Sequence, residues 1–228
     1  MKPVCLGSHL PTEGGEGSMT KKIQYFTPGK ILAKSFQVLD FQGEFHNLLG
    51  KPAHNFSMIV YGKSRAGKST LIIKLADYLA LTFGKVLYIA AEELMNLSLQ
   101  KTIQKCGIHS EEGKLKFVAT RDLAEVERAV KNSRAHFIVI DTAQKCGFTK
   151  ETLYAWQKRF MQKAFIIIMQ SDRAGEYKGD TAWSHDTDIK VKCEAGHATA
   201  EGRFDAPTGK MHIFNTKTDL FNNSQLNQ

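Results

Sequence analysis

The sequence predicts an α/β fold: a mostly parallel sheet flanked by helices, with antiparallel strands at its C-terminal edge. Three observations predict it. Short runs of apolar β-formers alternate with segments of helical apolar period between residue 56 and about residue 169, the order that builds a parallel sheet covered on both faces. A glycine-rich octapeptide, Gly62-Lys63-Ser64-Arg65-Ala66-Gly67-Lys68-Ser69, stands between the first strand-like run and the first helical segment. Polar side chains, Glu92, Asp141 and Gln170, follow three of the strand-like runs, and ligands of open α/β sheets bind at those carboxyl ends.

The elements follow in order. Phe56, Met58, Ile59, Val60 and Tyr61 predict a strand over 56–61. A helix is expected over about 68–82, because Ile72, Leu75, Ala76 and Leu79 share one face and Gly84 ends it. Val86 to Ala90 is wholly apolar, as a buried parallel strand is. A second helix is expected over 94–105, stopping at Gly107, and a strand over Leu115–Ala119. Asp122-x-x-Glu125 resembles a capping box, opening a helix with Leu123, Val126 and Val130 on one face. His136 to Ile140 is a strand ending at Asp141, Thr149 caps a helix carrying Leu153, Trp156 and Phe160, and Ala164 to Met169 is a buried strand. After Gly175 the helical period disappears, and runs at 189–193, 197–204 and 211–214 are expected as antiparallel strands at the sheet edge. Phe36, Val38, Leu39 and Phe41 suit either a short strand or a helix. Residues 1–21 are expected as a disordered N-terminal extension, with Met19 an alternative start. The core is expected over 22–220, followed by a flexible tail at 221–228.

The octapeptide fits G-x-x-x-x-G-K-[ST], the phosphate-binding P-loop, and lies in the strand–loop–helix context that the motif requires. Its glycines let backbone approach a polyphosphate, and the amides at the helix N-terminus aim positive dipoles at it. Gly62, Lys63, Ser64, Arg65, Ala66, Gly67, Lys68, Ser69 and Thr70 are therefore the expected nucleotide-binding set. Lys68 is placed to reach the β and γ phosphates of ATP, and the Ser69 hydroxyl to ligate Mg²⁺. Asp141, at the end of an apolar strand, suits the second metal-holding role. Glu92 and Glu93 follow the strand at 86–90. A carboxylate there can polarise the attacking water, or simply complement a helix N-terminus, and spacing does not assign the two jobs. Gln170 is either a γ-phosphate sensor or a solvated strand end.

Composition narrows the classes. No run of about 18 apolar residues is present and the first twenty residues lack a continuous apolar stretch, so neither a membrane span nor a secretory signal is expected. Cys5, Cys106, Cys146 and Cys193 stand singly, without CxxC spacing. Reduced thiols in a cytoplasmic protein are expected rather than a disulfide framework or a zinc site. The net charge of +8 suits a nucleic acid or a nucleotide polyphosphate.

Taken together, these positions resemble the RecA/RadA family of recombination ATPases, with the RadA core as the nearest pattern. Val86-Leu-Tyr-Ile-Ala-Ala-Glu-Glu resembles RadA's strand and glutamate pair, which implies Glu92 as the catalytic carboxylate beside Lys68, Asp141 and Gln170. Asp141-Thr-Ala-Gln is similar to the family's D-S-x-Q, and Gln170-Ser-Asp-Arg-Ala-Gly to RadA's H-V-T-K-x-G. His185-x-x-Asp188 is similar to an H-x-x-D, and Glu201-Gly-Arg-Phe-Asp to K-N-R-F-G. The resemblance covers about residues 40–215 and implies a RecA-like P-loop NTPase fold, ATP and Mg²⁺ as cofactors, and a homo-oligomer, either hexamer or filament. It also implies single-stranded DNA along the loops after the Asp141 and Gln170 strands, where Lys145, Lys150, Arg173, Tyr177, Lys178 and Trp183 stand. Cations neutralise phosphates and aromatic rings stack on bases, as such a groove requires, and the same residues equally suit a solvated loop and a core tryptophan. The sequence departs from RadA in having Glu201 and Arg173 at two lysine positions. It shows no counterpart of RadA's Cys₄ zinc module or its protease-like domain. A DNA-acting ATPase is the leading expectation. An ATP-dependent assembly switch or loader without direct DNA contact, and a small-molecule P-loop kinase, are the alternatives.

Overall fold

The computed structural model describes residues 24–171, 183 and 187–214. The expected extension at 1–21 and tail at 221–228 lie outside the described residues, as do Arg173, Tyr177, Lys178 and His185. The chain divides into two units, residues 1–35 and 36–228. The described part of the first holds a short helix, α1 (Pro28–Leu32), capped by Thr27, whose side chain accepts from the Lys30 amide. Pro28 occupies the first turn, where its missing N–H removes no helical bond.

The second unit is built on an eight-stranded sheet. In chain order its elements are α2 (Gly43–Leu49), β1 (Ser57–Tyr61), α3 (Lys68–Thr82), β2 (Val86–Ala90), α4 (Leu97–Cys106), β3 (Leu115–Val118), α5 (Leu123–Asn132), β4 (Phe137–Asp141), α6 (Lys150–Arg159), β5 (Ala164–Ile168), β6 (Ile189–Glu194), β7 (His197–Gly202) and β8 (Lys210–His212). A 3₁₀ turn, Ala143–Cys146, lies between β4 and α6. The strands run in the order β3-β2-β4-β5-β1-β6-β7-β8.

Alternation along each strand sends side chains to opposite faces, and both faces are apolar. Met58 and Val60 of β1, with Tyr88, Val139, Ile166 and Ile168, pack beneath α2, α3 and α4. Ile59, with Ile89, Ile138, Ile140 and Ile167, packs beneath Val126 and Val130 of α5 and Leu153 and Trp156 of α6. The N-caps are those the sequence announces, although Glu125 accepts from the Thr120 hydroxyl and does not close a capping box with the Asp122 amide. The Asp122 side chain accepts from the amides of Ala124 and Glu125, and Thr149 accepts from Thr152. Residues 36–41 form neither strand nor helix. Val38 makes an isolated bridge with Ala53, and the buried Phe41 ring lies 5.7 Å from Tyr78 and 5.4 Å from Phe83. Among the described residues no helix is long and apolar enough to cross a membrane.

The three C-terminal strands pair antiparallel with one another, β6 with β7 and β7 with β8, as expected, and β6 joins this edge to the parallel part of the sheet by pairing parallel with β1, with Met58 opposite Ile189 and Tyr61 opposite Lys192. A parallel neighbour of β1 needs a crossover connection before it, not a hairpin. The junction is tied by Asp188. Its Oδ2 accepts from the Ser57 amide and from Ser57 Oγ, each at 2.8 Å, which fixes the entry of β6 beside that of β1. Asp188 therefore has a structural place in the H-x-x-D segment. Asp188→Ala leaves the Ser57 groups without that partner and is expected to cost about 1–3 kcal/mol. The fall in urea midpoint, at unchanged slope, measures it.

Candidate nucleotide and metal site

The residues after β1, β2, β4 and β5 converge at one end of the sheet. A cleft of about 570 Å³ opens there, lined by Gly62, Ser64, Arg65, Gly67, Lys68, Ser69 and Thr70, by Glu92, Glu93 and Ser98, by Gln170 and Ser171, and by Phe214. Seven of the nine expected loop residues thus face one space. Lys63 and Ala66 instead line a neighbouring recess shared with Lys192, Cys193, Glu194 and Ala195. The volume is that of a typical small-ligand site.

The loop's glycines have reasons beyond phosphate approach. A Cβ on Gly62 would lie 2.1 Å from the Cys193 carbonyl oxygen, because β6 runs against the loop. Gly67, at φ +99°, begins α3, and a Cβ there would press within 3.1 Å of Ile213 and 3.2 Å of the Phe214 ring. The first turn of α3 carries no acidic side chain of its own, and its positive end faces the cleft. The Lys68 ammonium donates to the carbonyls of Gly62 and Lys63, both at 2.9 Å.

Asp141 lies beneath this loop and is 5% exposed. Its Oδ2 accepts from Tyr88 OH at 2.5 Å and from Ser69 Oγ at 3.4 Å. Its Oδ1 is buried without a hydrogen-bond partner. A hydroxyl beside an unsatisfied buried carboxylate oxygen is a hard oxygen donor set, and it fits Mg²⁺. Burial pushes the Asp141 carboxyl up from its ordinary 3.8 to about 6. The charges of Glu92 and Glu93 add to this, and the hydrogen bonds from Tyr88 and Ser69 oppose it.

The geometry separates the two glutamates. Glu93 Oε1 accepts from Ser98 Oγ at 2.9 Å, at the head of α4, whereas Glu92 Oε1 accepts from Gln170 Nε2 at 3.3 Å. Gln170 is held in turn, its amide donating to Gln144 Oε1 at 3.3 Å. Glu92, Gln170 and Gln144 therefore form one polar chain along the strand ends.

The expected DNA residues are less unified. Lys145 is exposed on the 3₁₀ turn, and Lys150 opens α6. Trp183 is corrected: it is 6% exposed and packs in the core with Phe148 and Trp156, so its ring is withdrawn from a base-stacking surface. Arg203 lies 3.9 Å from Asp188, at the end of the sheet opposite the P-loop, and Glu201 pairs with Lys190 at 3.4 Å. Burial raises the Cys193 thiol to about 12, so it is no nucleophile at neutral pH. Sequence reasoning missed three residues. Phe214 lines the cleft, with the Lys105 ammonium 4.9 Å from its ring centroid. Gln144 holds Gln170, and Arg121 contacts the Glu92 backbone. Only Gln144 had a signal, as the last residue of Asp141-Thr-Ala-Gln.

Sheet order, loop and cleft define a RecA-like P-loop ATPase fold. The family described as AAA domain matches residues 46–161, just over half of the 228-residue chain, and the chain belongs to it. No curated protein matches the chain. Among solved structures, the flagellar accessory protein FlaH from Methanocaldococcus jannaschii superposes with a TM-score of 0.54 at 15% identity, over 78% of this chain and 92% of that one. A KaiC-like protein from Pyrococcus horikoshii superposes with a TM-score of 0.52 at 15% identity, over 74% and 87%. At that identity the likeness is one of fold.

The raised Asp141 carboxyl has a stability consequence in metal-free protein. An unfolded aspartate ionises near 3.8, so between roughly pH 4 and 6 the folded state keeps a proton that the unfolded state has lost. Stability falls as pH rises through that window, and the cost persists above it. Asp141→Asn, which still accepts from Tyr88, is expected to stabilise the protein by about 2–3 kcal/mol at pH 8, the gain vanishing below about pH 4. Urea denaturation in chelator at both pH values checks it; equal stabilities at pH 8 would contradict the buried charge.

Proposed function

We propose that this chain is a RadA-like ATPase that binds Mg²⁺–ATP in the cleft, hydrolyses it, and acts on DNA in recombination, repair or replication as a cytoplasmic homo-oligomer, hexamer or filament. One observation carries the reading: the P-loop residues Lys68 and Ser69 and the Glu92–Gln170 pair meet at one cleft, with the buried Asp141 behind Ser69. Bound Mg²⁺ would neutralise phosphate charge, held by Ser69 and Asp141. Lys68 leaves its own loop carbonyls for the β and γ phosphates, and the amides at the start of α3 hold the same oxygens. Glu92 takes a proton from the water that attacks the γ phosphorus, with ADP leaving in line. Gln170 donates to that carboxylate, so a change at the γ phosphate reaches Gln144 and the loop after β4. The contact of Gln144 with Gln170 and the placement of Asp188 support a RadA-like arrangement. Lys145 and Lys150 supply cations for single-stranded DNA along the loop after β4.

A second reading, an ATP-dependent assembly switch or loader without direct DNA contact, is favoured by one observation, the burial of Trp183. ATP hydrolysis by the purified protein with and without single-stranded DNA separates the two. Stimulation that is lost in Lys68→Ala supports the first reading. Hydrolysis indifferent to DNA, with nucleotide-dependent oligomerisation, supports the second.

Within either reading, Glu92→Gln is expected to retain ATP binding within a fewfold while turnover falls about a hundredfold or more. Turnover at the unaltered rate removes Glu92 from the chemistry. Phe214→Ala is expected to weaken nucleotide binding about tenfold, since it removes an aromatic wall of the cleft while leaving Lys68 and Asp141 in place. Isothermal titration with ADP measures this, and unchanged affinity would show that the nucleotide does not reach that wall.

A further inference from the structure

Arg121 stands between β3 and α5 and belongs to none of the motifs that point to nucleotide chemistry. Its guanidinium reaches the segment that follows β2. Nε donates to the Ala91 carbonyl at 2.9 Å, and Nη2 donates to the Glu92 carbonyl at 3.1 Å. The amides of the same two residues donate to the Asp141 carbonyl oxygen, at 2.6 and 2.8 Å. Both edges of this short backbone stretch are therefore taken: the end of β4 holds its N–H groups and Arg121 holds its C=O groups. Neither residue lies within a strand, so these bonds replace the ladder that fixes backbone elsewhere in the sheet.

The loop that presents Arg121 is itself fixed on both sides. Thr120 is buried; its hydroxyl donates to Glu125 Oε2 at 2.6 Å and accepts from the Asp122 amide at 3.1 Å. Asp122 caps α5 through the amides of Ala124 and Glu125. The Asp122 cap and the Thr120–Glu125 bond thus do more than start a helix, because they anchor the residues on either side of the arginine. The planar guanidinium fork presents two donors to two successive carbonyls, whereas an ammonium is a point donor without that fork.

We propose that Arg121 is a positioning residue for ATP hydrolysis. Its two-point hold on the carbonyls of Ala91 and Glu92 fixes the Glu92 carboxylate against Gln170 at the edge of the cleft. The proposal rests on the assignment of Glu92 as the group that activates water. A displacement of about 1 Å in a reacting group costs on the order of a hundredfold in rate, so a backbone clamp is enough to matter without any contact between Arg121 and the nucleotide.

The test uses the full chain carrying Arg121→Ala or Arg121→Lys, each in the native and Glu92→Gln backgrounds. The readouts are kcat, affinity for a non-hydrolysable ATP analogue, and hydrogen–deuterium exchange of the segment containing Ala91 and Glu92. The expected result is a loss of about tenfold or more in kcat for Arg121→Ala, partial recovery in Arg121→Lys, and analogue affinity unchanged within about twofold. In the Glu92→Gln background the arginine change is expected to cost nothing further, because it acts through Glu92. Exchange at the Ala91 and Glu92 amides is expected to rise in both arginine variants. Arg121→Lys keeps the charge and most of the stem, so it carries the test should Arg121→Ala fail to fold. Unchanged exchange at those amides overturns the clamp whatever the activity. Equal losses of kcat in both backgrounds, or a loss that follows analogue affinity, overturn the positioning role. Undiminished hydrolysis by Glu92→Gln alone overturns the assignment of Glu92, and the positioning role falls with it.

Discussion

The carbonyl oxygen of Asp141 accepts the amides of Ala91 and Glu92, while its carboxylate accepts the hydroxyls of Tyr88 and Ser69. One residue at the end of β4 thereby joins β2, the segment that follows it, and the first turn of α3. Parallel pairing of β2 with β4 runs up to this point, with Ala90 opposite Asp141, and sets the register that makes the contacts possible. Burial makes the arrangement costly in the absence of a counter-charge: a carboxylate held away from water with one oxygen unsatisfied favours a proton or a cation. The same constraint that raises the Asp141 carboxyl underlies the proposal that this site takes a divalent metal.

The P-loop is shaped from the other side by the C-terminal edge. β6 lies so close that Gly62 has no room for a Cβ, and Ile213 and Phe214, just past β8, fill the space above Gly67. Lys74 reinforces the contact by donating to the Ile213 carbonyl at 2.9 Å. Phe214 is thus a wall of the cleft and β6 a backing to its loop, whose conformation depends on residues about 130–150 positions away in sequence.

Much of this was legible in the sequence because it is local. The octapeptide, the apolar runs and the caps at Asp122 and Thr149 each carry their meaning within a few residues. Asp141 was legible too, since a carboxylate at the end of an apolar strand has a restricted set of places to go. What was not legible depends on which strands become neighbours. The direction of β6 is set by its pairing with β1, distant in sequence, and an alternating run reads the same in either direction. Phe214 reaches the cleft only because the residues after β8 pack against the start of α3. The choice between Glu92 and Glu93 turned on partners at Ser98 and Gln170, one nearby and one distant. Trp183 suited a base-stacking loop or the core equally, and the choice is made by the buried cluster it joins, which holds Phe148 and Trp156 from another part of the chain. Arg121 carried no signal, since a lone arginine before a helix cap is ordinarily solvated.

The central claim is that Asp141 and Ser69 hold the metal while Lys68 and the loop hold the phosphates. Mn²⁺ is a paramagnetic substitute for Mg²⁺, and its binding in the presence of ADP or a non-hydrolysable ATP analogue can be followed by electron paramagnetic resonance. The account predicts a nucleotide-dependent Mn²⁺ signal in the native protein that is lost or weakened at least tenfold in Asp141→Asn, with metal-free nucleotide binding preserved. A Mn²⁺ affinity that is the same in both proteins would contradict it, because the buried carboxylate would then serve the fold and not the metal.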